Sequence, residues 1–219
     1  MPRSTDTDFV CERGTPVEAF ACQFPDRLKL NLAFDPLRLA ADLERLNDTL
    51  WIDHFVKQNY DGDWSATPLR AKAGATHPIM MIYSDPAATA FADTPLLDRT
   101  PYYREVLAAL HCPLRAVRLM RLAVHSVIKE HHDGDLDFEH GTVRLHIPVV
   151  TNPAVDFRLN GSRVVMAPGS VWYLRLSDPH SVSNQGATDR VHLVVDAQTN
   201  DWLAAMLEGA AREASTSVS

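Results

Sequence analysis

From residue 117 to residue 196 the chain is built of short runs in which apolar and polar residues alternate, and this period of two dominates what it can fold into. Runs at 117–128, 143–150, 155–159, 163–166, 171–176 and 190–196 each read as a strand, because residues two apart in extended backbone share a face. Turn residues separate the runs. Asn160-Gly161 is the strongest hairpin signal, since both residue types accept the positive φ of a two-residue turn. Pro168-Gly169 marks a second break. Many short antiparallel strands at regular spacing predict a mainly β domain, a jelly roll or barrel with flanking helices.

The flanks follow helical spacing instead. Asp35-Pro36 supplies an N-cap acid and a proline at the first helical position, and Leu39, Leu43, Leu46 and Leu50 then form one apolar stripe. Thr100-Pro101 opens a second helix with Tyr103, Val106, Leu107 and Leu110 facing inward. A last helix, capped by Asn200 or Asp201, is expected to pass Leu207 and end near Gly209. Residues 1 to 25 read as an irregular lead-in, and 214–219 as a frayed tail. The expectation is one domain over 1–219. It has a helical or irregular flank over 1–115, a β core over 116–197, and a C-terminal helix and tail over 198–219.

Composition narrows the function. A net charge of -7 without any Lys/Arg stripe argues against nucleic acid as a partner. No apolar stretch reaches bilayer length and the start lacks a hydrophobic signal core, so a cytoplasmic chain without a membrane partner is expected. Cys11, Cys22 and Cys112 are odd in number and form no Cys-x-x-Cys pair. They read as thiols in a reducing compartment, with no zinc site among them.

The chemistry-bearing residues lie in the strand region. His131 and Asp133 flank His132, so in extended chain an imidazole and a carboxylate project to one side and can grip one ion while His132 points away. His180, after Asp178-Pro179, stands where a loop can return a third ligand; a surface histidine is the alternative. Two His and one carboxylate are the facial triad of non-haem Fe(II) oxygenases. They can also hold Zn(II), although no His-Glu-x-x-His base accompanies them. Arg190 shares a strand face with His192, Val194 and Asp196, beside core valines. Its charge needs a partner: a ligand carboxylate, or a neighbouring acid such as Asp189 or Asp196. Arg144 and His146 share a face of the run at 143–150, either toward solvent or toward the barrel interior, where they would favour an anionic ligand. A cupin-like barrel that binds a metal or small anion without redox chemistry also fits these residues.

Several motifs occur in order: His131-His132-Asp133-Gly134, then Val143-Arg144-Leu145-His146-Ile147-Pro148, then Pro168-Gly169-Ser170-Val171-Trp172-Tyr173. Pro179-His180-Ser181-Val182-Ser183-Asn184 follows, and Arg190 stands ten residues after His180. Together they resemble the aspartyl/asparaginyl β-hydroxylase family of Fe(II)/2-oxoglutarate-dependent oxygenases, over roughly residues 50–200. The resemblance implies a double-stranded β-helix with Fe(II) on His131, Asp133 and His180. It also implies Arg190 on the distal carboxylate of 2-oxoglutarate and His146 near the 1-carboxylate, with Arg144 on that group or on a substrate carboxylate. The implied reaction consumes O2 and 2-oxoglutarate, releases succinate and CO2, and hydroxylates an aliphatic carbon of an amino acid, an amino-acid derivative or an Asp/Asn peptide. In carrying Asp133, where the animal enzyme has glycine, the chain is similar to the bacterial proline hydroxylases of the family. The stretch Asn59-Tyr60-Asp61-Gly62-Asp63-Trp64 with Pro68-Leu69-Arg70 resembles a substrate-side segment of bacterial members, which implies Trp64 and Arg70 as pocket walls.

Overall fold

In a computed structural model of the chain the described residues are 22–216. Cys11, most of the lead-in and the last three residues of the tail lie outside them. The elements run β1 Arg27–Ala33, α1 Pro36–Glu44, β2 Ile52–Asp53, β3 Tyr60–Asp61, β4 Trp64–Lys72, α2 Pro78–Ile82, β5 Phe91–Asp93, α3 Pro95–Asp98 and α4 Pro101–Ala108. They continue with β6 Leu114–Leu122, β7 Ser126–His131, β8 Thr142–Val150, β9 Val155–Leu159, β10 Ser162–Arg163, β11 Ser170–Leu174, β12 His180–Asn184, β13 Arg190–Gln198 and α5 Asp201–Thr216. Among the described residues no helix is long and apolar enough to cross a membrane.

The strands form two antiparallel sheets, ordered β1-β11-β8-β13-β6-β4-β2 with β5 on β4, and β10-β9-β12-β7-β3. Successive strands from β6 to β13 alternate between the two sheets, save that β9 and β10 form a hairpin within the small one, which is the double-stranded β-helix. Alternation then sorts the side chains. Val143, Leu145, Ile147, Val191, Leu193 and Val195 meet the helices on the outer face of the large sheet. Met120, Leu122, Phe157, Leu159, Val182 and Val194 fill the space between the sheets. Arg144, His146, Arg190 and His192 share that inner side, so both candidate strands present cations to the interior and not to solvent.

The helix starts read from sequence are present. Asp35 accepts from the backbone N–H groups of Leu37 and Arg38, and Pro36 and Pro101 open α1 and α4. Their ends differ from expectation. α1 stops at Glu44, so Leu46 is buried from a turn and Leu50 is 76% exposed. Gly209 does not end α5, which continues to Thr216; a glycine in a helix costs about 1 kcal/mol but does not forbid it. The run at 117–128 is two strands, broken by a tight turn with His125 at φ 57°. Of the run at 163–166 only Arg163 is strand, forming β10 with Ser162. Asn160 and Gly161, at φ 50° and 70°, make the two-residue hairpin turn.

The flank over 1–115 is the larger correction, because it is not merely helical or irregular. It contributes β1 at one end of the large sheet and β4 beside β6, and β3 pairs with β7 in the small sheet. The Pro168-Gly169 turn ties β1 to this frame. The Phe34 N–H donates to the Gly169 carbonyl at 2.8 Å, and a Cβ on Gly169, whose φ is +80°, would lie 2.1 Å from the Phe34 oxygen.

Candidate metal and ligand site

His131 ends β7 and His180 begins β12. The two strands pair with His131 and His180 in register, so the imidazoles stand side by side with centroids 4.3 Å apart. Asp133 follows the strand, and its N–H donates to the Leu176 carbonyl at 2.8 Å, which brings its carboxylate back over the pair. His132 between them is exposed. One ligand atom from each of His131, Asp133 and His180 lies within 4.8 Å of the others.

The backbone selects which nitrogens are free to face an ion. His131 Nδ1 donates to the Lys129 carbonyl at 2.8 Å, and His180 Nδ1 to the Asp178 carbonyl at 3.0 Å. A carbonyl only accepts, so both Nδ1 atoms carry hydrogen and both Nε2 lone pairs are left for a metal. Burial also lowers the His180 pKa to about 4, keeping the ring neutral. Two imidazole Nε2 atoms and a carboxylate suit Fe(II), and equally Zn(II).

Asp133 is aimed by Arg144, whose Nη1 donates to Asp133 Oδ2 at 2.6 Å. The rest of that guanidinium meets Asp196, directly opposite on β13, through Nε at 2.6 Å and Nη2 at 3.2 Å. Asp196 is wholly buried and also accepts from Arg118 Nη2 at 2.5 Å and Ser84 Oγ at 2.6 Å. Burial alone would raise its pKa, but Arg118 and Arg144 hold the carboxyl well below the usual range.

Arg190 is different. It is 3% exposed, and among the described residues no carboxylate lies within ion-pairing distance of it. Its Nη2 reaches His192 Nδ1 at 2.9 Å, its Nε has no partner, and burial lowers its pKa to about 9. Neither Asp189 nor Asp196 takes the salt bridge that the sequence left open. Arg190, His146, Arg144 and the three candidate ligands line an inner cavity of about 40 Å³.

An outer cavity of about 580 Å³ shares His131, Asp133, Arg144, Trp64 and Met120 with the inner one. Trp64 stands between them and stacks on His54 at 3.5 Å between centroids. Arg70 is elsewhere: it bonds Asp93 and the Leu114 and Phe91 carbonyls and lines a separate cleft. The structure does not bring it to the site. Four residues without an assigned role in the sequence reading belong here: Arg118, Asp196, His192 and His54. Arg118 and Asp196 carried a signal, a charge on the interior face of an apolar strand. His54, in a loop, carried none.

A model of the aspartyl/asparaginyl β-hydroxylase family matches residues 38–200. The chain is 30% identical to L-proline cis-4-hydroxylase of Rhizobium meliloti (strain 1021) over 168 residues, which cover 74% of this chain and 57% of that protein. It is 25% identical to L-proline cis-3-hydroxylase 2 of a Streptomyces species over 170 residues, 75% of this chain and 57% of that one. The matched region thus spans little more than half the length of either relative. Among solved structures, HygX from Streptomyces hygroscopicus, with nickel and 2-oxoglutarate bound, superposes with a TM-score of 0.51 at 14% identity, covering 80% of this chain and 84% of that one; it shares the fold. With its double-stranded β-helix and a family match across most of its length, the chain belongs to the aspartyl/asparaginyl β-hydroxylase family.

Proposed function

We propose that the chain is an Fe(II)- and 2-oxoglutarate-dependent dioxygenase that hydroxylates an aliphatic carbon of an amino acid or amino-acid derivative. One observation carries this reading: His131 and His180 turn both Nε2 atoms, fixed by backbone carbonyls, toward the Asp133 carboxylate, beside a buried arginine with no acid of its own. Such an arginine calls for a ligand carboxylate, which relieves the cost of an unpaired buried charge.

Bound at this site, Fe(II) with 2-oxoglutarate and O2 supplies the oxidising power for C–H hydroxylation, with succinate and CO2 released. The protein's part is geometry and exclusion of water. His131, Asp133 and His180 would hold the ion through one ligand atom each. Arg190 would bind the distal carboxylate in the inner cavity, whose apolar lining includes Phe157 beside it and Trp64 toward the outer cavity. Arg144 holds Asp133 as a carboxylate in one orientation. The outer cavity receives the substrate, where the buried and unpartnered Nε of Arg118 offers a donor to a carboxylate. The two relatives named as L-proline hydroxylases favour a small amino acid over a peptidyl Asp or Asn.

Substrate-stimulated succinate release, screened over free amino acids, their simple derivatives and short peptides, tests the reading. Asp133→Ala and His180→Ala are expected to abolish 2-oxoglutarate turnover while the fold remains. Full succinate production by either variant rejects the proposal.

A further inference from the structure

Two buried histidines behind the inner cavity have ring nitrogens whose hydrogens follow from their neighbours. His192, two residues after Arg190 on β13, is 1% exposed. Its Nδ1 lies 2.9 Å from Arg190 Nη2 and 3.3 Å from His146 Nδ1. A guanidinium has donors only. His192 Nδ1 therefore accepts and carries no hydrogen, and the ring's hydrogen is on Nε2. Two bare nitrogens would repel at the His146 distance, so His146 must turn an N–H toward His192. Its hydrogen is thus on Nδ1, and Nε2 is left as a lone pair. That Nε2 is buried without a partner, and His146 lines the inner cavity beside Arg190 while His192 does not. Burial first and the Arg190 charge second push both rings' pKa well below the usual imidazole value.

We propose that His192 is a positioning residue: one unprotonated nitrogen holds the Arg190 guanidinium and the His146 ring together, so that the inner cavity presents a cationic donor and a bare acceptor side by side. A carboxylate fits the Arg190 donors. The His146 acceptor fits a group that brings its own O–H or N–H, a bound water included. Removing the His192 acceptor has two effects at once. Arg190 loses the partner that sets its direction, and His146 becomes free to exchange tautomers or to turn.

The inference rests on the dioxygenase reading only in taking 2-oxoglutarate as the ligand, and its test separates the two. Long-range proton–nitrogen correlation spectra of the full chain, labelled with 15N-histidine and loaded with diamagnetic Zn(II), report which nitrogen of each ring carries hydrogen. At pH 7 His192 should be bare at Nδ1 and His146 bare at Nε2. Hydrogen on His192 Nδ1, or a doubly protonated His192, overturns the proposal. Calorimetric titration with 2-oxoglutarate then compares the wild type with His192→Asn, whose amide oxygen can accept in place of Nδ1, and His192→Leu, which cannot accept. The Leu variant should bind at least about tenfold more weakly and the Asn variant within about threefold of wild type, the difference being one buried donor left unpaired. In the Leu variant His146 should also populate both tautomers. Equal binding by the wild type and a folded Leu variant overturns the positioning role. If the Leu variant lacks a cooperative unfolding transition, the Asn variant decides, and a loss beyond about tenfold there counts against the proposal. A wild type that shows the expected hydrogens but does not bind 2-oxoglutarate removes the dioxygenase reading and leaves the histidine arrangement standing.

Discussion

Arg144 and Asp196 face each other across adjacent strands of the large sheet and form a buried, two-pronged ion pair. The third arm of the same guanidinium goes to Asp133. Its charge is therefore already used inside the protein. The sequence offered Arg144 to a carboxylate of 2-oxoglutarate or substrate; we propose that its part is to support the candidate metal ligand Asp133. Arg144→Met should accordingly weaken metal binding, by about tenfold to a hundredfold as for lost support of other metal ligands. It should also cost up to about 3–5 kcal/mol of stability, because Asp196 then keeps one cation, Arg118, and the Ser84 hydroxyl against its burial. Metal titration and denaturant unfolding of the variant check both numbers; an undiminished metal affinity would return Arg144 to the ligand-binding role.

Metal should stabilise this fold even without cosubstrate. The three donors come from β7, the loop behind it and β12, and the unfolded chain does not hold them together. At a metal concentration one hundred times the dissociation constant, the expected gain is about 2.7 kcal/mol. It should appear as a raised Tm with Zn(II) or anaerobic Fe(II), and should vanish in His180→Ala. A Tm that metal leaves unmoved in the wild type means the three side chains do not share an ion.

His54 gives the fold a pH dependence. Stacked on Trp64 and Phe55, it has its pKa lowered by burial to about 3, against 6.5 for a free imidazole. The folded protein keeps it neutral while the unfolded chain protonates it below pH 6.5, so its contribution is full above that pH and is lost as pH falls toward 3. The loss approaches about 1.4 kcal/mol per pH unit at its steepest. His54→Phe preserves the stack without the titration. Unfolding free energies of the two proteins should differ little in pH dependence above 6.5 and diverge between pH 6 and 4, the wild type falling faster. Parallel curves there would mean His54 is protonated in the folded state.

What could be read in the sequence depended on whether the signal was local. The faces of β8 and β13 were legible because Val143 to Val149 and Val191 to Val195 alternate cleanly with Arg144, His146, Arg190 and His192, and burial on both faces fixes the register. The convergence of His131 on His180 was legible only as a motif, since the strand pairing that creates it spans half a hundred residues. β4 was not legible. Pro68 sits inside it and argues against a strand, yet a register irregularity between Pro68 and Arg70 absorbs the missing donor. The alternation of Leu28, Leu30 and Leu32 in β1 was a usable signal that went unused.

The position of β4 takes Arg70 away from the candidate site, and Arg118 is the arginine proposed to meet the substrate. Arg70 lies at its far end, half-exposed, paired to Asp93 across β5 and to two carbonyls, and touches neither cavity next to the candidate ligands. Arg118, from β6, lines the outer cavity with an unpartnered Nε, while its other nitrogens hold Asp196 and the Ile82 carbonyl. Exposed pairs like Arg70–Asp93 contribute about 0–1 kcal/mol, so Arg70→Ala should leave both stability and substrate-stimulated succinate release close to wild type. Arg118→Met should depress the substrate-stimulated rate by about tenfold or more, the usual cost of one charge-assisted hydrogen bond. Because Arg118 does not line the inner cavity, binding of 2-oxoglutarate to the metal-loaded variant should persist. Parallel losses of both properties would mean that Arg118 acts by supporting Asp196, and through it Arg144 and Asp133, and not by touching substrate. A variant with unaltered kinetics would move substrate recognition to the aromatic wall around Phe55, His54 and Trp64.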